Sequence, residues 1–330
     1  MTETQFYAGK HLLITGGSGY LASNLLNLLS KVDCRITRLS RRSIRAAAML
    51  GEASITDVQG DIRDRTIWEQ ILGKVDIVFH LAAQTSVNVA ERDPIADLEI
   101  NVLPVLCMLE TCRKKSWHPI LLFSGTVTEC GIPTNLPVDE NHPDQPITIY
   151  DMHKLMAENY LKHYIAEDVV RGAVLRLANV YGPGPRHSSA DRGVLNSMIR
   201  KAMLGENLTV YGQGHHLRDY IYVEDVARAF LKAPVYIERI NGKHFVLGMG
   251  EGYTILEAIN LVAERVAIKT GKRAPVVSVE PPNSLSPIER RNFIADTRQF
   301  TLATGWKAKI HLSEGIDRTI DYFSGYPGLL

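Results

Sequence analysis

The sequence predicts an α/β protein in which a doubly wound parallel sheet is followed by a smaller C-terminal cap. Short apolar runs alternate with helix-like patterns through the first half of the chain, a rhythm typical of βαβ units. Two of these runs, VDIVFHLAA and PILLFSG, are apolar without alternation, as expected of strands covered by helices on both faces. With 330 residues and 45% hydrophobic content, the chain can bury such a core.

The predicted elements follow one another regularly. The strand HLLIT precedes a helix over residues 21 to 30 and the strand RITRLS; after a gap come VDIVFHLAA, a helix over residues 97 to 114, and PILLFSG. A helix beginning at Tyr150 leads to one more strand, GAVLRLANV, after which the chain is rich in glycine, proline and serine. We expect residues 1–180 to form the sheet domain, rejoined by strands and a helix near 219–248, and residues 181–330 to form mainly the cap.

The composition excludes several classes of partner. The 37 basic residues nearly balance the 36 acidic ones, so no overall field attracts nucleic acid or a membrane surface. The four cysteines show no C-x-x-C spacing and are expected to be reduced and structural. Neither a secretory leader nor an apolar run of membrane-spanning length is present, which favours a cytoplasmic protein.

A glycine-rich turn joins the first strand to the first helix in the segment GGSGYLA. Gly16 permits a tight turn, Gly19 lets the backbone approach a pyrophosphate, and the helix that starts at Tyr20 and Leu21 offers free N–H groups to the anion. Ala22 is small enough for close packing of the helix on the sheet. The segment therefore predicts a Rossmann dinucleotide site, and the alternative is an ordinary glycine-rich turn.

The end of the second strand bears on the choice of cofactor. Proteins that bind NAD usually keep a carboxylate there for the adenosine ribose, but this strand ends in Ser40, Arg41 and Arg42. Two guanidinium groups and a hydroxyl suit a 2′-phosphate. The sequence therefore favours NADP over NAD, and the alternative is a solvated basic loop that continues through Arg45.

Tyr150 and Lys154 are a candidate acid/base pair because i, i+4 spacing puts both on one face of a helix. The strand PILLFSG runs on to Thr126, which would bring a hydroxyl to the same edge of the sheet. A phenol has an ordinary pKa of about 10, and a neighbouring cation favours the phenolate. Tyr150 would then remove a proton from a substrate hydroxyl as hydride leaves its carbon, while Thr126 binds the same oxygen.

The combined motifs resemble those of the extended short-chain dehydrogenases/reductases over residues 11 to about 300. They are TGGSGYLA, GDIRD, FHLAAQ, a helix bearing Asn101, SGT, YDMHK and LRLANVYGPG. The later segment that runs from Tyr211 to Val226 resembles the nucleotide-sugar epimerase/dehydratase branch. The resemblance implies a nucleotide-sugar substrate.

The same resemblance assigns roles to further residues. Asp61 and Ile62 would border the adenine, and Lys154 would also bind the nicotinamide ribose. Asn179 and Arg218 would bind the diphosphate of the substrate, although a surface salt bridge with Asp219 or Glu224 is the alternative for Arg218. The remaining expected contacts are Leu81, Ala82 and Ala83 along the cofactor and, for the substrate, Arg290 or Arg291, of which we favour Arg291.

Three departures from the family pattern narrow the reaction. Thr126 replaces a common serine and keeps the hydroxyl. Val127 and Thr128 stand where sugar 4,6-dehydratases of the family carry Asp and Glu, which disfavours dehydration. The basic end of the second strand is more common among net reductases than among 4-epimerases that recycle NAD.

These observations favour hydride transfer at C4 of a nucleotide-linked sugar, in epimerisation or net 4-keto reduction. The alternatives are reduction of a non-sugar carbonyl and, least favoured, a non-catalytic cofactor-binding protein. No metal is expected, because His153, His187, His215 and His216 lack ligand spacing. By resemblance, we expect a homodimer formed through the helices at residues 97 to 114 and 150 to 165.

Overall fold

A parallel sheet of seven strands forms the centre of the protein, which we describe from a computed structural model covering residues 3–42, 51–184, 193–282, 285–326 and 328. Its strands are β1 His11–Thr15, β2 Arg35–Ser40, β3 Ser54–Gln59, β4 Ile77–His80, β5 Ile120–Thr126, β6 Arg171–Leu177 and β10 His244–Leu247. They lie in the order β10-β6-β5-β4-β1-β2-β3, and every neighbouring pair is parallel. The direction in which successive strands are added to the sheet reverses between β1 and β4. Open α/β sheets bind ligands at such a point.

Helices cover both faces of this sheet, as the apolar strands require. The helices of this half are α1 Glu3–Tyr7, α2 Tyr20–Leu29, α3 Arg65–Ile71, α4 Val87–Arg92, α5 Pro94–Asn101, α6 Leu103–Lys115, α7 Ile149–Ala166, α9 Val223–Val235 and α10 Ile237–Ile240. One core packs α2 and α9 against the sheet, and a second core packs α3, α6 and α7 against the opposite face. The structure therefore confirms the doubly wound α/β fold.

The rest of the chain builds two small sheets beside the carboxyl ends of the large one. Strands β7 Asn179–Tyr181, β9 Leu217–Tyr222 and β11 Gly252–Thr254 form a sheet in the order β11-β9-β7, and β8 Leu208–Tyr211 pairs with β12 Val276–Val279. A third apolar core lies among them. The helices here are α8 Val194–Leu204, α11 Ile255–Thr270, α12 Arg298–Thr304 and α13 Leu312–Gly325, with short 3-10 helices η1 Val127–Cys130 and η2 Pro287–Arg290.

Three elements differ from the sequence prediction. Strand β3 lies in the segment for which the sequence predicted neither a helix nor a strand. It is an edge strand with largely exposed side chains, so it lacks the apolar run that would have indicated a strand. The helix predicted over residues 97 to 114 is two helices separated at Val102, with Pro104 in the first turn of α6. The predicted strand GAVLRLANV divides at Ala178, because β6 ends in the large sheet and β7 pairs with β9.

Two further features concern the environment of the chain. All four cysteines are free thiols, and three of them are buried. Among the described residues, no helix combines the length and the apolar character that a membrane crossing requires.

Candidate active site

The glycine turn brings the ends of β1 and β4 together. Gly16 has φ +66, and a Cβ there would lie 3.0 Å from the Cα of Ala82, so only glycine permits this approach. The N–H of Gly19 donates to the Gly16 carbonyl at 2.7 Å, and α2 begins directly afterwards without a side-chain cap. The first N–H groups of α2 are therefore suited to a phosphate, and the cradle fits a dinucleotide.

The residues after β4 form the opposite wall of this turn. The N–H groups of Leu81 and Ala82 both donate to Thr15 Oγ1 at 3.1 Å. Two further residues that were predicted to bind the cofactor make contacts within the protein. The Tyr20 hydroxyl donates a hydrogen bond to the Gly182 carbonyl at 3.0 Å, and Leu21 packs on the core. The structure thus brings the glycine turn next to the segment of Leu81 and Ala82, with Ala83 following it in the chain.

The end of β2 leaves two arginines in solvent. Ser40 is buried and its Oγ lies 2.9 Å from Ser18 Oγ, whereas Arg41 and Arg42 are exposed. Arg38, two residues before Ser40 on β2, is already bound by Asp57 on β3 in a bidentate ion pair with distances of 2.6 and 2.8 Å. Arg45, which continues the basic run, lies outside the described residues.

Asp61 and Ile62 follow β3 at the same edge of the sheet. The pKa of Asp61 is lowered, chiefly by its hydrogen bonds with Arg63 and to a smaller extent by the Arg41 charge. Ile62 is buried, and its carbonyl accepts a hydrogen bond from Trp68 Nε1 at 3.1 Å. The Asp61 carboxylate is therefore already bound to Arg63.

Thr126, Tyr150 and Lys154 belong to elements that pack against each other. Thr126 ends β5, and α7, which carries Tyr150 in its first turn, packs on β5 and on η1. Tyr150 and Lys154 are 8% and 2% exposed, and the Lys154 ammonium lies 4.0 Å from the centre of the Phe123 ring. The Thr126 hydroxyl lies 2.9 Å from the Thr128 hydroxyl.

The charge of Lys154 is strongly influenced by its surroundings. Burial lowers the pKa of Lys154 to about 8, while the carboxylates of Glu129, Asp97 and Glu158 act in the opposite direction. His80 stacks on the Phe123 ring with centroids 6.0 Å apart; burial and then the Lys154 charge lower the pKa of His80 to about 3. The histidine beneath Lys154 is therefore neutral at physiological pH.

Sequence reasoning missed an ion network next to Lys154. Arg176 on β6 lies 3.0 Å from Glu129, 2.7 Å from Glu158 and 2.6 Å from Asp144. The i, i+4 spacings of Glu158 with Lys154 and with Lys162 were local signals for it, and Lys162 lies 2.6 Å from Glu158. Glu129 had no such signal, because it meets Arg176 only through the pairing of β5 with β6.

A second buried network ties α5 to α7. Asp97 accepts hydrogen bonds from the side chains of Gln84 at 2.7 Å and Asn101 at 3.0 Å. Its other oxygen lies 2.8 Å from Nδ1 of His153, so this histidine is a buried packing residue. No group of three or more His, Cys, Asp or Glu side chains with metal-binding geometry occurs in the described part of the chain, and His187 lies outside it.

Arg218 is buried, 3% exposed, and is not part of a surface salt bridge. Its guanidinium donates to the backbone carbonyls of Arg291 and Glu289 and to the Glu289 carboxylate at 3.1 Å. Asp219 cannot pair with it, because its oxygens accept the N–H groups of Met249, Gly250 and Ala295. Glu224 is bound by Arg228, so the carboxylate that pairs with Arg218 is Glu289 and not Asp219 or Glu224, the two alternatives that the sequence left open.

Arg291 lies beside Arg218. It is 5% exposed, and burial together with the Arg218 charge lowers its pKa to about 10. Its Nε has no hydrogen-bond partner among the described residues, and the same holds for the buried Oδ1 of Asn179 at the start of β7. Arg290 is exposed. Two adjacent buried guanidinium groups with an unsatisfied donor form a site suited to a doubly charged anion.

Comparisons with known proteins agree with this architecture. The profile of the family described as "NAD dependent epimerase/dehydratase family" matches residues 12–248. A Methanocaldococcus jannaschii protein, named only provisionally as a UDP-glucose 4-epimerase, is 30% identical over 94% of this chain and 97% of its own. UDP-glucuronic acid decarboxylase 1 of Danio rerio is 29% identical over 96% of this chain and 73% of its own.

A solved structure is similar over nearly the same span. The UDP-glucose 4-epimerase of Thermotoga maritima, determined with UDP-glucose, has a TM-score of 0.84 and 29% identity over 96% of this chain and 99% of its own. These similarities cover the large sheet, the glycine turn and the small sheets together. The chain belongs to the NAD-dependent epimerase/dehydratase family, within the extended short-chain dehydrogenase/reductase enzymes.

Proposed function

We propose that this enzyme transfers hydride at C4 of a nucleotide-linked sugar, with NADP(H) as cofactor and Tyr150 as acid/base. The observation that carries the proposal is the buried Lys154 ammonium one helical turn after Tyr150, in a helix packed on the strand that ends in Thr126. A buried cation favours the phenolate of a neighbouring tyrosine. The bound nicotinamide supplies the hydride acceptor or donor.

The chain's own groups handle the proton and the substrate oxygen. Tyr150 takes the proton of the sugar hydroxyl during oxidation and returns one to the ketone during reduction. Thr126 binds the same oxygen, and Lys154 binds the nicotinamide ribose while it stabilises the phenolate. The uncapped N-terminus of α2 and the turn at Gly16 and Gly19 hold the pyrophosphate of the cofactor.

A diphosphate fits the pair of buried arginines. Arg218 is paired with Glu289, whereas burial of the neighbouring Arg291 cation is costly without an anion to pair with it. Asn179 adds a buried polar atom without a partner among the described residues. A neutral ketone substrate requires no such pair, so these residues favour a nucleotide sugar over a non-sugar carbonyl. We also propose that the part from residue 181 onward mainly covers the substrate.

The exposed arginines support NADP(H). Arg41 and Arg42 lie exposed just after β2, and the carboxylate of Asp61, which the Arg41 charge influences, is bound by Arg63 at 2.8 Å. A ribose 2′-phosphate would pair with these exposed guanidinium groups. NAD is the alternative, and the description of the family names it.

Epimerisation and net 4-keto reduction use the same groups. Dehydration is disfavoured, because the two positions after Thr126, where the family's dehydratases carry Asp and Glu, are Val127 and Thr128. We keep a homodimer as a proposal: the outer face of α7 exposes Met152 and Met156 at 42% and 41%, and Ile95 on α5 is 68% exposed. The cytoplasmic location stays a prediction from the sequence.

A substrate screen tests the function. UDP-, dTDP-, CDP- and GDP-linked sugars are each added to the purified protein with NADPH or NADP, and nicotinamide absorbance and product are followed. A lasting absorbance change identifies a net reductase, and a new sugar isomer without such a change identifies an epimerase. If no nucleotide sugar is converted while a simple ketone is reduced, the proposed substrate class is wrong.

Tyr150→Phe is expected to bind cofactor normally and to lower kcat by about 10²- to 10⁴-fold, because it removes the acid/base hydroxyl. Steady-state kinetics and cofactor fluorescence measure the two effects. Tyr160→Phe, a half-buried tyrosine on the same helix, is the control and should keep its activity. Full activity of Tyr150→Phe would falsify the mechanism.

Arg41→Ala is expected to weaken NADPH binding by about 10- to 100-fold, the range of a charge-assisted hydrogen bond, and to leave NADH binding nearly unchanged. Fluorescence titration gives both Kd values. Arg35→Ala, at the exposed opposite end of β2, is the control. Equal losses for the two cofactors would contradict the phosphate assignment.

Arg291→Lys keeps the charge but loses the planar fork that binds two phosphate oxygens. We expect the Kd of the nucleoside diphosphate to rise about tenfold or more, with unchanged cofactor binding, in isothermal titration calorimetry. Arg290→Lys is the matched control because the neighbouring side chain is exposed. If only the Arg290 variant weakens binding, the assignment belongs to Arg290.

A further inference from the structure

We propose that Glu129 is a positioning residue of the reaction, whose carboxylate keeps the Lys154 ammonium charged and fixes the orientation of Thr126. The inference rests on the function proposed above for Tyr150 and Lys154. It concerns a carboxylate that touches neither substrate nor cofactor and acts through these two residues.

Glu129 holds the end of β5 through a reciprocal pair of contacts. Its Oε1 accepts the backbone N–H of Thr126 at 2.9 Å, and the Thr126 hydroxyl in turn accepts the N–H of Thr128 at 3.3 Å. This capping box closes η1 directly onto the residue that presents the hydroxyl. Glu129 therefore holds the backbone of Thr126, while rotation of the Thr126 side chain would break the contact of its hydroxyl with Thr128.

The Glu129 carboxylate is also fully buried. Glu129 is 0% exposed, and its Oε2 lies 3.0 Å from Arg176 Nε. Gly125 makes room for this pair, because a Cβ there would lie 3.0 Å from Arg176 Cγ and 3.3 Å from Glu129 Oε1. A side chain at residue 125, just before Thr126, would therefore crowd this pair as well as Val174, whose Cγ1 would lie 2.8 Å from the Cβ.

Glu129 lies on η1, which packs on α7, the helix that carries the buried Lys154. Its carboxylate favours the charged form of Lys154, as do those of Asp97 on α5 and Glu158 on α7, while His80 on β4 contributes no opposite charge. Burial and the nearby Glu158 raise the pKa of Glu129 itself, and Arg176 acts against them. The ionisations of Glu129 and Lys154 are therefore linked, since each charge favours the other.

Glu129 belongs to a network of charges around Arg176. Arg176 contacts Glu129, Glu158 and Asp144, and Lys162 lies 2.6 Å from Glu158. Three carboxylates thus meet two cations, and the buried Lys154, one turn before Glu158 on α7, supplies a third positive charge.

The direct test measures the titration of Lys154 in the full-length protein. Lysine labelled with ¹³C at Cε is incorporated, and the Lys154 signal is assigned by its absence in Lys154→Arg. Glu129→Gln keeps an oxygen for the Thr126 N–H and replaces the charged carboxylate by a neutral amide of the same shape. We expect the midpoint of Lys154 to fall by about one to two pH units. A change below about 0.3 units would overturn the proposal.

Asp144→Asn is the matched control. Asp144 bonds Arg176 at 2.6 Å in the same network but is not among the groups that stabilise the Lys154 charge. The Lys154 midpoint should therefore stay within about 0.3 units of the wild-type value. An equal shift in both variants would mean that any loss from the network acts on Lys154, and it would refute the specific role of Glu129.

Activity gives a second readout. If a charged Lys154 is required, loss of activity at high pH follows the titration of Lys154, so the alkaline limb of kcat/KM in Glu129→Gln should move to lower pH by the same amount. A purely structural role would lower activity equally at every pH. Retained activity of Tyr150→Phe would instead refute the proposed function, whatever Glu129→Gln does to the Lys154 titration.

A reciprocal measurement covers the case in which Glu129→Gln does not fold. With ¹³C at Cδ of glutamate, the Glu129 carboxyl signal is assigned by its absence in Glu129→Asp. Because linkage is mutual, Lys154→Met should raise the Glu129 midpoint by about the shift expected for Lys154. An unchanged Glu129 midpoint would reject the coupling.

Discussion

The burial of the Lys154 ammonium is the constraint on which the rest of the candidate site depends. A fully buried cation is tolerated only when carboxylates and polarisable groups surround it, and here they come from β5, α5 and α7. Phe123 presents its ring to the ammonium, and Glu129, Asp97 and Glu158 oppose the cost of burial. Several elements of the sheet domain must therefore be in place before the Tyr150 helix can carry a charged lysine.

The parallel sheet meets this requirement through its register. Pairing of β5 with β6 sets Arg176 opposite Gly125, and β1 and β4 meet at the Gly16 turn. Because parallel strands share one carboxyl edge, the phosphate cradle and the Thr126 hydroxyl come to the same side of the sheet. The fold thus brings the proposed cofactor-binding groups and the proposed catalytic groups to one side of the sheet, although they are far apart in the sequence.

The side of the site that the small sheets form differs from the Lys154 side in its charges. Arg218 is bound by the Glu289 carboxylate, whereas Nε of the neighbouring Arg291 has no hydrogen-bond partner among the described residues. Asp219 does not neutralise either arginine, since its oxygens accept the backbone N–H groups of Met249, Gly250 and Ala295. The Arg291 guanidinium is therefore suited to receive an anion.

The sequence by itself determined the features that depend on local spacing. The apolar strands, the glycine turn, the basic end of β2 and the Tyr150–Lys154 pair each lie within a few residues, so periodicity and motif position predict them. Strand β3 was not predicted, because an exposed edge strand needs no apolar run.

The tertiary structure decided which charges meet. Glu129 and Arg176 are 47 positions apart by their numbers in the chain, and only strand pairing joins them. Likewise, burial distinguishes Arg291 from the adjacent Arg290, although the two are chemically identical in the sequence. Burial and long-range contact set the charge state of an ionisable group, and neither is a property of the residues beside it in the chain.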